Sequence, residues 1–219
     1  MTFEPAVIWL AVLGVLSAGL AYGQFVLLPA AKEARLAGAV RAFGRAVELR
    51  FPNHSGLTEE VARLARKVGA GLTLSPRRIR DLDLAVRLRD IGLCAIPYRL
   101  VNRKAWSDWS LSETATYDCH AEVGGAILET IPALIPYAQT VRCHHTPYLQ
   151  SPIGDRVRTP NLDARIVKAC AEFVWYSRHL GSSAAAQHLQ EGAGTPYDPV
   201  VVRELIRHVE IKDRAPGIA

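Results

Sequence analysis

Four residues in this chain have the types needed for metal or acid–base chemistry. They are Asp90 in "VRLRDIGLCAIPYRL", His120 in "YDCHAEVGG", and His144 and His145 in "VRCHH". Three imidazoles and one carboxylate form a hard-to-borderline N/O donor set suited to Zn, Fe, Mn or Ni. The expected cofactor is therefore one divalent ion, with no ion at all as the alternative. Asp90 directly follows Arg89, so an ion pair with Arg89, Arg87 or Arg99 competes with metal ligation. His145 reads equally well as a hydrogen-bonded core histidine. Spacing alone leaves these alternatives open. His54, His179, His188 and His208 lack comparable surroundings and read as surface or cap residues.

The elements that must carry these residues are helical. Ser75 before Pro76, Thr159 before Pro160 and Asp198 before Pro199 repeat one device, an N-cap followed by proline at the first helical position. Ser110 and Glu113 form a capping box for the helix that holds His120. Gly124 lies one turn beyond His120 on the same face, where a missing side chain leaves room beside the imidazole. Asp90 closes its own helix, and His144 and His145 end another. No hairpin or alternating strand pattern is present, so the fold class is all-α.

The amino-terminal segment has a different character. Pro5 to Ala31 carries no charge, and an apolar run of about 20 residues suffices to cross a bilayer. Trp9 and Tyr22 fall near its ends, where interfaces would lie. A cleaved signal fits poorly, because "MTFEP" contains Glu4 and no Lys or Arg. The expectation is a transmembrane anchor over 1–31, with residues 5–30 in the membrane. Lys32, Arg35, Arg41, Arg45 and Arg50 follow it, which places the carboxyl-terminal domain in the cytoplasm, at the inner membrane, after a single pass. Gly19 and Gly23 make one small-xxx-small pair, a device for a homodimer. A juxtamembrane linker helix is expected over 32–50, with Leu36, Val40, Phe43 and Val47 as its apolar stripe, packed on the domain or on a second copy. The domain itself is expected over 51–212, with "DRAPGIA" as a frayed tail.

Bulk composition narrows the partners. Of 219 residues, 49% are apolar and 21% charged, which suits an ordered chain. The net charge of +5 is modest, and no Lys/Arg block dominates, which argues against a nucleic-acid polymer. Cys94, Cys119, Cys143 and Cys170 form no CxxC pair and read as buried free thiols.

Several blocks in order resemble the HD-GYP branch of the HD phosphohydrolase superfamily, from about Leu57 to Val209. "LRDIGLCAIP" is similar to the family's L-H-D-I-G-K-x-x-I-P, "HAEVGGAIL" to H-x-x-x-G-x-x-x-L, and "HH" at 144 to its paired histidines. "NLDARIVKACAEF" and "EGAGTPYDPVVV" are similar to its two later blocks. The resemblance implies an HD-domain-like helical bundle, and it implies cyclic di-GMP hydrolysis by clustered metal ions in the family's active members.

Set against that pattern, Arg89 replaces the HD histidine, Leu93 the lysine, Leu57 the first-helix histidine and Ala171 the late aspartate, with Glu172 beside it. His54 lies one turn from Leu57 and off register. The G-Y-P loop is replaced by "TPYLQSPIGDRVRTP". What the resemblance leaves complete is one metal's set: Asp90, His120, His144 and His145. Arg89 sits where a second ion would, and Arg156 and Arg158 of the replaced loop join it as phosphate-facing candidates. The expected function is a membrane-anchored, non-catalytic signalling module that binds a cyclic dinucleotide or a protein partner. The alternative is a phosphohydrolase acting on cyclic di-GMP through a single-metal site.

Overall fold

The computed structural model describes residues 4–103, 108–149 and 160–209. Arg156 and Arg158, Thr159 and the "DRAPGIA" tail lie outside the described residues. Among those described, the chain forms ten α-helices and no strand: α1 (Pro5–Tyr22), α2 (Leu28–Arg50), α3 (Leu57–Gly71), α4 (Pro76–Leu88), α5 (Tyr98–Arg103), α6 (Leu111–Glu129), α7 (Ile135–Arg142), α8 (Leu162–Leu180), α9 (Ser182–Glu191) and α10 (Pro199–His208). A π-helical turn, Gly23–Leu27, joins α1 to α2, and short 3-10 turns occupy Pro52–His54 and Ile91–Ala95.

The chain divides into two units, one ending at Ala39 and the other beginning at Val40. In the first, α1 buries no residue, and its Val, Leu and Trp side chains are exposed all round the helix. A helix apolar on every face has no stripe with which to pack on a water-soluble core. The continuous helical segment Pro5–Arg50 is long and apolar enough to cross a membrane.

The second unit begins inside α2, where Val40, Gly44, Val47 and Glu48 are buried. Phe43, expected on this stripe, is exposed. The buried face centres on Gly44 instead, because a side chain there would press on the Arg87 carbonyl of α4. The main core lies between α3, α4, α8, α9 and α10, with Val61, Leu82, Ile166, Leu189 and Leu205 fully buried. Phe51, Leu93 and Ile96 join Val47 in a smaller cluster beside it.

Local sequence sets most helix starts. Ser75 Oγ accepts from the Arg78 amide, Asp198 Oδ1 from the Val200 amide, and Ser110 and Glu113 form the expected box. The α8 start differs: Asn161, not Thr159, is the N-cap, with Oδ1 accepting from the Ala164 amide at 2.8 Å. Asn161 also reaches Thr140 of α7, which ties the cap to a neighbouring helix. The cysteines divide as well. Cys143 and Cys170 are buried, but Cys94 and Cys119 are exposed, because each lies on the outward face of its element.

Candidate metal and phosphate pocket

The site is assembled from α6, the turn after α7, the turn after α4 and the turn before α3. His120 lies in the middle of α6 and is fully buried. α7 ends at Arg142, and Cys143 leads into His144 and His145. Arg142 fixes the two histidine-bearing segments together: Nε donates to Glu122, and the two Nη groups donate to Glu129 at 2.9 and 3.0 Å. Bidentate pairing of this kind is geometrically specific even at a surface.

Asp90 follows α4 and opens the 3-10 turn, with its side chain 13% exposed. Gly92 brings this turn against α6, since a Cβ there would run into the His120 carbonyl oxygen and lie 2.6 Å from the Gly124 amide nitrogen. The space at Gly124 is thus used by Ile91, Gly92 and Val141, rather than by an imidazole or ligand.

The three histidines converge. His120 Nε2 lies 3.3 Å from His144 Nε2 and 3.4 Å from His145 Nε2. His120 Nδ1 is 2.6 Å from the Tyr117 carbonyl, and His144 Nδ1 is 2.6 Å from the Val141 carbonyl. A carbonyl only accepts, so both Nδ1 atoms carry the proton and donate. Both Nε2 atoms are therefore bare lone pairs, pointed at each other with no proton to share. That arrangement is repulsive unless a cation lies between them. Backbone-anchored imidazole is also the usual second-shell support of a metal ligand. The N···N edge of a tetrahedral site with Zn–N bonds of about 2.0–2.1 Å is about 3.3–3.4 Å. The donor set fits a metal ion.

Electrostatics agree with the geometry. Burial lowers the pKa of His120, against the opposing pull of Asp90. Burial pushes His144 down to about 3, and it holds His145 well below the ordinary value, with His144 adding to the effect. All three are neutral near pH 7, as ligation requires.

Asp90 has two neighbours. Its Oδ1 is 3.7 Å from His120 Nε2, and its Oδ2 is 2.8 Å from Arg89 Nη2. Of the three candidate arginine partners, Arg89 holds it; Arg87 instead pairs with Asp83 and Glu59. Burial opposes ionisation of Asp90, yet Arg89 and the nearby imidazoles together keep its carboxyl below the usual carboxylate range. Arg89 is only 2% exposed, with Nη1 donating to the Val86 carbonyl.

Arg89, Asp90, His144 and His145 line a pocket of about 740 Å³, and the fully buried His120 lies behind that lining. His54, read from sequence as a surface or cap residue, is buried in its wall. It ends the Pro52–His54 turn, against Phe51 and Trp175. Gly56, at φ +71°, then swings the chain into α3, and Arg178 of α8 holds the turn through the Ser55 carbonyl and Glu60. The signal available in sequence was "FPNH", one turn ahead of Leu57, with an aromatic and a proline to press the histidine inward.

The other three histidines behave differently. His179 is exposed at the pocket rim, and His188 bonds Tyr197 Oη. His208 pairs with Glu204 at 2.9 Å. Ala171 and Glu172 also line the pocket. Both Glu172 oxygens are engaged, one by Lys168 and one by the Tyr197 hydroxyl. Lys168 in turn donates to the His145 carbonyl at 3.3 Å and so ties α8 to the histidine turn.

A family model described as HD domain matches residues 41–201. The solved structure of a cyclic GMP-AMP specific phosphodiesterase from V. cholerae, V-cGAP3, superposes with a TM-score of 0.61 at 14% identity. The alignment covers 78% of this chain and 48% of that one, so the chain spans about half that protein's length. At this identity the likeness is one of fold. No curated protein matches the chain.

Proposed function

Starting from the HD domain family, to which this chain belongs, we propose that it is a one-metal, HD-GYP-like module that binds a phosphodiester ligand of the cyclic dinucleotide class. The observation that carries this reading is the convergence of the Nε2 atoms of His120, His144 and His145, two of them, on His120 and His144, bare lone pairs. Asp90 Oδ1 lies at the edge of the same cluster. A bound divalent ion would supply a Lewis acid for a phosphoryl oxygen. The chain's own residues do the rest. The three histidines would hold the ion, Arg89 neutralises Asp90, and the 740 Å³ pocket offers room for the ligand.

The dinucleotide class is supported by the HD-GYP resemblance and by the cyclic GMP-AMP specificity of the V. cholerae neighbour. Regulation without fast turnover is supported by Arg89. A fixed, buried guanidinium on Asp90 repels a second cation beside the first. A slow phosphohydrolase with one ion is the second reading, favoured by the intact histidine set. The all-round exposed apolar surface of α1 supports a membrane anchor, with the basic residues after it on the cytoplasmic side.

Elemental analysis of the full chain, purified in detergent without chelator, tests the metal. About one ion per chain is expected, and His120→Ala should lower metal affinity at least about a hundredfold. Two ions per chain, or none, refutes the one-metal centre. Assays with cyclic dinucleotides separate the two readings, since binding without product supports the module and product lost in His120→Ala supports the enzyme.

A further inference from the structure

The proposed metal cluster accounts for His144 and His145 in the pocket lining and leaves two buried nitrogens elsewhere in it. His54 is 5% exposed, and its Nδ1 is buried with no hydrogen-bond partner. Arg89 is 2% exposed, and its Nη2 touches Asp90 only as an ion pair, with no aligned hydrogen bond. Both residues line the same pocket. A buried N–H without an acceptor is costly, so two in one wall call for a shared acceptor.

An anion fits that requirement and a cation does not. The histidine group whose ligand atoms lie within 4.8 Å of one another comprises His120, His144 and His145, and His54 stands outside it. A metal on His54 would also face the Arg89 guanidinium. Imidazole can carry its proton on either nitrogen, so Nδ1 is free to donate. Guanidinium offers a planar fork matched to two phosphoryl oxygens.

We propose that His54 and Arg89 form a phosphate cradle in the same pocket lining as the histidine cluster, holding non-bridging oxygens of the ligand. The proposal rests on the phosphodiester reading above and adds a residue to it. The strap from Arg178 to Ser55 and Glu60 makes His54 a rigid donor, not a rim contact.

The test is calorimetric titration of the full chain with inorganic phosphate, with metal content measured in parallel. Wild-type chain binds phosphate at millimolar concentration. His54→Leu weakens binding by roughly tenfold to a hundredfold, the effect of losing a hydrogen bond to a charged group. His54→Asn, which keeps a donor near the Nδ1 position, stays within about threefold of wild type, and metal content is unchanged in both. Should His54→Leu fail to fold, Arg89→Lys carries the test. It keeps the charge on Asp90 but loses the fork, and phosphate affinity falls about tenfold. Unaltered phosphate binding in His54→Leu or, where that variant fails to fold, in Arg89→Lys overturns the cradle. So does a wild-type chain that ignores phosphate, or loss of metal in His54→Leu. Phosphate binding without any metal leaves the cradle standing and removes the one-metal reading; metal without phosphate does the reverse.

Discussion

One wall of the pocket presents His144 and His145, backed by the buried His120, neutral rings whose Nε2 atoms converge. Another part of the lining presents Arg89 and His54, each with a buried nitrogen lacking a hydrogen-bond partner, and Asp90 touches both Arg89 and His120. The first wall lacks a positive charge, and the second lacks an acceptor aligned with its buried nitrogens. A metal ion satisfies the first and a phosphoryl group the second, so a metal–phosphate pair would satisfy both at once. The lesson is that Asp90 is shared between the two: Arg89 takes one carboxylate oxygen while His120 lies near the other.

The largest expected effect comes from breaking the charged wall. Arg89→Met leaves Asp90 buried without its partner and should cost about 3–5 kcal/mol of stability in metal-free protein, read by chemical denaturation. Metal loading should recover part of that loss, because the freed carboxylate can then turn to the ion. If the loss is under about 1 kcal/mol, the two walls are not electrostatically distinct.

Gly92→Ala attacks the joint between the walls. A methyl there meets main chain of α6, which cannot swing aside, so a cost of about 3 kcal/mol is expected. Metal affinity should fall as well, because Asp90 and His120 are displaced together.

Acid separates the walls by titration. Unfolded histidine titrates near 6.5, whereas burial keeps His144 neutral in the folded chain down to about 3. Between those values the unfolded state binds more protons, so stability falls as pH drops through that window. For metal-free chain, moving from pH 6.5 to 5 should cost about 2 kcal/mol from this group alone. His120 and His145 shift in the same direction. Asp90, held below the usual carboxylate range, adds little between pH 6.5 and 5 and acts in the same direction at lower pH. A flat profile would mean the histidine wall is wetter than its geometry shows.

The smallest effect is a control. Ser110→Ala removes the cap of α6 and should cost about 1 kcal/mol. Metal affinity should be unchanged, since the cap lies more than two turns before His120.

The residues legible in sequence were those whose role is local. Ser75, Ser110 and Asp198 cap helices through neighbours two or three positions away, and each acts as expected. The all-helical class follows from the same periodicities. Asn161 was missed because its side chain is also fixed by Thr140, a contact from another helix. Phe43 was misplaced because Gly44, not the hydrophobic pattern, sets which face of α2 meets α4. His54 was misread for the same reason on a larger scale. Its burial depends on Trp175 and on the Arg178 strap, both more than a hundred residues away.

Gly92 has a last consequence. Where the Asp90 turn meets α6, the contact is main chain on main chain. Side chains there cannot be exchanged to widen or narrow the gap. The spacing of Asp90 from His120 is thus inherited from the bundle's own scaffold. His179, exposed in the pocket lining, can vary without disturbing that spacing.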